Sequence, residues 1–141
     1  MKLLIDTNVV LDVLLQREPS CRTATAVLNL TQRDDVREYV SASAITDIYY
    51  IANKQMKDRD AVRDLLKRLL MVVSVAAVSE REIQNALNLA WGDFEDSVQY
   101  SVALMNEMDG IVTRNPSDYQ EANMRIWLPE QALELFANEE S

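Results

Sequence analysis

The sequence predicts an α/β fold, a three-layer α/β/α sandwich around a mostly parallel central sheet. Three observations carry that expectation. Short apolar or β-branched runs such as Leu3-Leu4-Ile5 and Met71-Val72-Val73-Ser74-Val75 read as strands. Stretches with apolar residues at helical spacing lie between them, and such alternation places helices on both faces of a parallel sheet. The 141 residues suffice for one compact domain and are too few for two ordinary ones; with no repeat, linker or low-complexity tract, a single domain over 1–141 is expected.

The elements follow in order. Residues 2–5 form a first buried strand. Val9, Val10, Val13 and Leu14 then recur at helical spacing, so a helix starts at Asp6 or Thr7 and ends before Pro19. Ser20 caps a second helix with Ala24, Val27 and Leu28 on its apolar face, and Arg33-Asp34-Asp35 breaks it. Val36 to Ser41 is the second strand. Ser43 or Thr46 opens a helix through Ile48, Tyr49, Ile51 and Ala52, and another runs from about Asp58 with Val62, Leu65, Leu66 and Leu69 on one face. The third strand is 71–75. Ser79 to Glu82 has the spacing of a capping box, heading a helix with Ile83, Ala86 and Leu87. A turn at Gly92 leads to a helix carrying Val98, Val102 and Met105. "DGIVT" is a fourth strand, "NPSDY" a loop and "RIWL" a weaker fifth strand, after which Pro129 opens a closing helix through Leu133 and Phe136.

Composition excludes several chemistries. The chain has no histidine, so Ser-His-Asp and Cys-His triads and HExxH zinc sites cannot be written. Two glycines, Gly92 and Gly110, leave no room for a P-loop or a GxGxxG turn, and the single Cys21 holds neither an internal disulfide nor a structural zinc. No apolar run approaches the about 20 residues of a membrane span, and no signal-peptide pattern opens the chain; a cytoplasmic protein with no membrane partner is expected. An enzyme built from this inventory works with carboxylates helped by a hard cation.

The net charge of −9 argues against a nucleic-acid partner at first sight. From Lys54 to Arg68, however, six basic residues stand against three acids, so that stretch is +3 and the remainder −12. It reads as a solvated helix face or as an edge that contacts phosphates.

The acids are placed where an α/β sheet does its chemistry, beyond the carboxyl ends of the strands. Asp6 ends the first strand, and Asp118 lies in the loop after the fourth. Asp47 and Asp96 sit near helix N-termini, where a carboxylate can also act as a capping or early-turn group. Asp6 either caps the following helix or is the first member of a charged site. Asp93 reads as a cap or as a neighbour of Asp96, Asp109 as a turn residue, and Asp12 as a partner for Arg17 or a basic helix. Tyr49, Tyr50 and Tyr100 read as core rather than as base-stacking groups.

The segments "LLIDTNVVLDVLL", "SASAITDIYYI", "DFEDSVQYSVA" and "DGIVTRNPSDY" resemble, in order and spacing, the motif set of the PIN domain. That family comprises metal-dependent ribonucleases, including the VapC toxins of toxin–antitoxin pairs. The resemblance implies a PIN-like fold and an endoribonuclease acting on RNA with Mg²⁺ or Mn²⁺. It makes Asp6, Asp47, Asp96 and Asp118 the catalytic acids, with Asp6, Asp96 and Asp118 as metal ligands. Many members carry glutamate at the Asp47 position, and many carry an acid at the Asn115 position. Thr7, Asn8, Asp93 and Asn115 become supporting polar groups, and Lys54, Lys57 and Arg114 candidate phosphate contacts. An antitoxin protein and a second copy of the chain are the implied partners. Two other functions remain open: a non-catalytic module of the same fold, and phosphoryl transfer through an aspartyl intermediate on Asp6.

Overall fold

The computed structural model describes residues 1–137, so 138–141 of the expected domain lie outside the described residues. Five strands, β1 (Lys2–Ile5), β2 (Arg37–Ser41), β3 (Ser74–Ala76), β4 (Gly110–Val112) and β5 (Arg125–Trp127), form one sheet in the order β3-β2-β1-β4-β5. Every pairing is parallel. Seven α-helices accompany it: α1 (Thr7–Leu14), α2 (Cys21–Asn29), α3 (Ala42–Met56), α4 (Arg59–Leu69), α5 (Glu80–Asn88), α6 (Phe94–Met105) and α7 (Pro129–Ala137).

Side-chain alternation along β1 divides the core. Leu3 and Ile5 pack with residues of α1, α2, α3, α4 and α7, whereas Leu4 packs with α5 and α6. The sandwich is therefore three-layered. Helix α6 is buried from Ser97 through Ala103, including the polar residues Ser97, Gln99 and Ser101. Among the described residues no helix is long and apolar enough to cross a membrane.

Chain order makes β1 the pivot. The path runs outward from β1 through β2 to β3, then returns to place β4 on the other side of β1. Loops leaving β1 and β4 thus diverge and open a crevice at the carboxyl end of the sheet.

Three boundaries differ from the sequence expectation. The third strand is 74–76, because the amides of Met71, Val72 and Val73 donate to Arg68 and Leu69 carbonyls at the end of α4 and are unavailable to a sheet. Helix α3 starts at Ala42, since Ser41, the last residue of β2, accepts the amide of Ala44 and caps the helix with no loop between. The turn before α6 takes its left-handed conformation at Ala90, with φ 56°, and Gly92 has no positive φ. At the expected capping box, the Ser79 hydroxyl donates to Glu82 and caps no backbone amide.

Two details of the sheet bear on stability. A Cβ on Gly110 would stand 2.3 Å from the Trp127 ring and 2.6 Å from the Arg125 carbonyl, so only glycine lets β5 dock on β4. Glu38, opposite Leu3 in the β1–β2 ladder, is 2% exposed and neither carboxylate oxygen has a partner among the described residues. Burial pushes its pKa up to about 8.

Candidate active site

Asp6 extends β1 by one ladder bond, its amide donating to the Val112 carbonyl at 2.9 Å. Its carboxylate is 8% exposed and fixed from three directions. Oδ1 accepts the amide of Thr7 at 2.8 Å and Gln99 Nε2 at 3.3 Å; Oδ2 accepts the Thr113 hydroxyl at 2.8 Å. The Ser41 hydroxyl in turn donates to Gln99 Oε1 at 2.6 Å. The ends of β1, β2 and β4 are thereby tied together through one carboxylate. Asp6 both caps α1 and faces a charged site, so the two readings of it coexist.

A cleft of about 610 Å³ opens over this point. Asp6, Asp47, Glu95, Asp96 and Asp118 line it, together with Thr7, Asn8 and Gln99. Each acid arrives by a local rule. Asp47 lies one turn into α3, behind the Ser41 cap. Asp93 is the N-cap of α6, accepting the amide of Asp96 at 3.1 Å, so it sets the first turn that carries Glu95 and Asp96. Asn115 accepts the Asp118 amide at 3.0 Å while its own amide donates to the Thr113 hydroxyl at 3.1 Å. The loop bearing Asp118 is in this way referenced to the residue that grips Asp6.

Convergence of like charge has electrostatic consequences. Desolvation, then the charges of Asp93, Asp118, Asp6 and Glu95, push the pKa of Asp96 up to about 7. Glu95 is also raised, chiefly by Asp47, with smaller contributions from burial, Asp93 and Asp6. Burial, and after it the charges of Asp6, Asp96 and Asp118, hold the Tyr119 phenol above the usual range. Its hydroxyl lies near Asp6 without the geometry of a full hydrogen bond.

An all-carboxylate donor set suits Mg²⁺ or Mn²⁺ in chemistry. In geometry the set is spread out: among the described residues no three acids stand close enough to hold an ion between them. Asp6, Asp96 and Asp118 all line the cleft, and oxygen donors so spread would suit a cation that keeps several waters, as Mg²⁺ commonly does.

The expected phosphate contacts are placed differently. Lys54 and Lys57 are exposed at the end of α3 and do not line the cleft. Arg114 is bound by its Nε to Asp12 at 2.6 Å, which names the partner of that buried acid. The Arg114 amide also approaches Asn8 Oδ1 at 3.4 Å. Arg17 lines the cleft in their stead. Tyr100 is core as expected, stacked on Trp91 with centroids 5.0 Å apart, but Tyr50 is 70% exposed on the cleft wall, contrary to the core assignment.

Sequence reasoning overlooked Glu95, Gln99, Thr113 and Arg17 as site residues. Gln99 carried a readable signal: a glutamine inside an apolar helix, one turn after Asp96 and on its face. Thr113 directly follows β4, as Asp6 directly follows β1.

A family profile described as PIN domain matches residues 2–117. Solved structures of similar fold include a toxin–antitoxin complex from Klebsiella pneumoniae, 17% identical with TM-score 0.68, covering 89% of this chain and 96% of that one. VapBC2 from Rickettsia felis, bound to a DNA fragment from their promoter, is 14% identical with TM-score 0.69 over 90% of this chain and 99% of that one. VapC20 from Mycobacterium tuberculosis, described as a sarcin–ricin loop cleaving toxin, is 17% identical with TM-score 0.62 over 77% and 86%. At such identities the likeness concerns the fold. None of the curated proteins compared matches the chain significantly.

Proposed function

This chain belongs to the PIN-domain family, and on that premise we propose that it is a metal-dependent endoribonuclease, the toxin of a toxin–antitoxin pair. The observation that carries the reading is Asp6, held by Thr7, Gln99 and Thr113 at the pivot of the sheet and facing Asp96 across a carboxylate-lined cleft. Asp6 and Asp96 would hold a divalent cation, with Asp118 and Asp47 completing the acidic wall and reaching it through water. Mg²⁺ or Mn²⁺ bound there supplies charge neutralisation at the scissile phosphate and a more acidic water. Gln99 and Thr113 keep the Asp6 oxygens in place, and Asp93 orients the helix turn that presents Asp96. Asp47 and Glu95 face each other's charge and offer acceptors for a proton released during hydrolysis. The partners in this reading are RNA, an antitoxin protein and a second copy of the chain, in the cytoplasm.

The spread of the acids favours a second reading, a binding module of the same fold without catalysis. Phosphoryl transfer through Asp6 fits less well, since Asn8 stands where that chemistry uses the second acid of a D-x-D pattern.

The deciding experiment is cleavage of a mixed pool of structured and single-stranded RNAs. The purified protein cuts with Mg²⁺ or Mn²⁺ and stops with EDTA; Asp6→Asn and Asp96→Asn each lose about 10²–10³ in rate, equivalent to about 3–4 kcal/mol of transition-state stabilisation, while circular dichroism stays that of the parent. Cleavage that survives EDTA, or the double variant, would falsify the metal mechanism. No cleavage of any RNA in the pool leaves the binding module as the function.

A further inference from the structure

Three successive residues after β4 are each fixed to a different part of the molecule. The Thr113 hydroxyl donates to Asp6 Oδ2 at 2.8 Å; Asn115 donates its amide to that hydroxyl and accepts the amide of Asp118. Between them, Arg114 meets α1 twice. Its backbone amide lies 3.4 Å from Asn8 Oδ1, and its Nε lies 2.6 Å from Asp12 Oδ2. Asn8 and Asp12 are four residues apart and share one face of the helix, so that face holds the loop by main chain and side chain together. Asp12 is the unusual member. It is 1% exposed, at the end of the buried stretch that begins with Val9, and a carboxylate in such a place is costly without a counter-charge. Its Oδ2 has no hydrogen bond from a described residue, so the guanidinium is what balances it. Arg114 itself does not line the cleft.

Resting on the metal-dependent reading of the cleft, we propose that Arg114 is a positioning residue. Paired with Asp12, it locks the 113–118 loop to α1 and through that loop sets the Asp6 oxygens and the placement of Asp118 for the cation. The contacts form a closed ring. It runs from Asp6 along α1 to Asp12, across the ion pair to Arg114, and back through Thr113 to Asp6. A hydroxyl on an unbraced loop can turn away from its carboxylate; inside a closed ring it is held to one geometry. The orientation of a ligating oxygen depends on such partners, and their loss weakens the metal without touching it. A phosphate-holding role makes a different demand, since the guanidinium must then reach the substrate and Asp12 must be irrelevant to it. Asp12 separates the two roles, because a residue so buried and outside the cleft touches neither cation nor RNA.

Titration calorimetry of the full chain with Mn²⁺ reads the first consequence. Arg114→Gln and Asp12→Asn each weaken Mn²⁺ binding roughly tenfold, as loss of a group that orients a ligand does. The double variant is no worse than Arg114→Gln alone, because both changes break one interaction. It also carries the test if a single variant strands a buried charge and fails to fold. Arg114→Lys, which returns a cation within reach of Asp12, recovers most of the affinity. In cleavage the same variants lower kcat and leave KM in place. Amide exchange in chelator reads the loop directly: Asn115 and Asp118 exchange faster in both single variants, while α6 keeps the parent's rates. Affinities and exchange rates equal to the parent's overturn the proposal. It is also overturned if Arg114→Gln raises KM and cuts the slope of log K against log salt by about 0.7, the value for one lost phosphate contact on a single strand, while Asp12→Asn behaves as the parent. Arg114 is then a phosphate contact. If the parent binds no Mn²⁺ and cuts no RNA, the ribonuclease reading falls and the exchange rates alone decide: faster exchange keeps the tie between α1 and the loop, unchanged exchange rejects it.

Discussion

Glu38 is a carboxyl in the wrong solvent. Its native pKa near 8 lies above the ordinary 4.5, so between those values the folded chain retains a proton that the unfolded chain gives up. Folding stability attributable to this residue is therefore fully present below about pH 4.5 and is lost as pH rises through 8. Glu38→Gln removes the titration. Relative to that variant, the parent loses on the order of 3 kcal/mol between pH 5 and pH 7.5 at about 1.4 kcal/mol per unit, measured by urea unfolding at several pH values; a gap that stays flat contradicts a neutral buried acid. The warning was faint: in "VREYVS" Glu38 shares a face with Val36 and Val40, but without a clean alternation only the position of β2 between β3 and β1 shows that this face is buried. Asp6 was the opposite case. A carboxylate directly after Leu3-Leu4-Ile5 was conspicuous, and what remained hidden was its fixing by Gln99 and Thr113, residues 93 and 107 positions away. Tyr50 misled for a plainer reason: a tyrosine beside an apolar stripe has no mark saying which side of the helix meets water.

At the scale of elements, helices were legible wherever a polar cap preceded a periodic run. Asp58 caps α4 through the amide of Ala61 and Asp93 caps α6, both by side chains visible in the sequence. Strands were harder. Met71-Val72-Val73 has every β-branched credential, yet the end of α4 captures its amides, a competition for donors that composition does not record. The β4–β5 pairing hangs on Gly110. Gly110→Ala forces the Trp127 ring and the Arg125 carbonyl outward and destabilises by about 1–3 kcal/mol, as overpacking of a tight contact does. Adding Trp127→Leu recovers part of that loss, since the ring can be removed and the backbone carbonyl cannot. Full recovery in the double variant, read from chemical denaturation, refutes the backbone clash.

For the molecule as a whole, the acidic cleft opposes folding until something neutralises it. In chelator at neutral pH, Asp96→Asn melts a few degrees higher than the parent because one repelling carboxylate is gone. Added Mn²⁺ raises the parent's melting temperature through binding to the folded state and leaves the variant nearly unmoved, so the order reverses or the gap closes. Parallel shifts of both proteins in thermal melts, with and without Mn²⁺, speak against an ion held by Asp96. The strand order has a temporal meaning too. During synthesis β1 emerges first, followed by β2 and β3, while β4 and Thr113 appear only after more than a hundred residues have left the ribosome. Until then Asp6 ends a strand with one neighbour, its carboxylate lacking Thr113 and its amide lacking Val112. A nascent chain is thus chemically incomplete for most of its time on the machine that makes it, and a break anywhere before β4 leaves a fragment without the grip that sets its first acid.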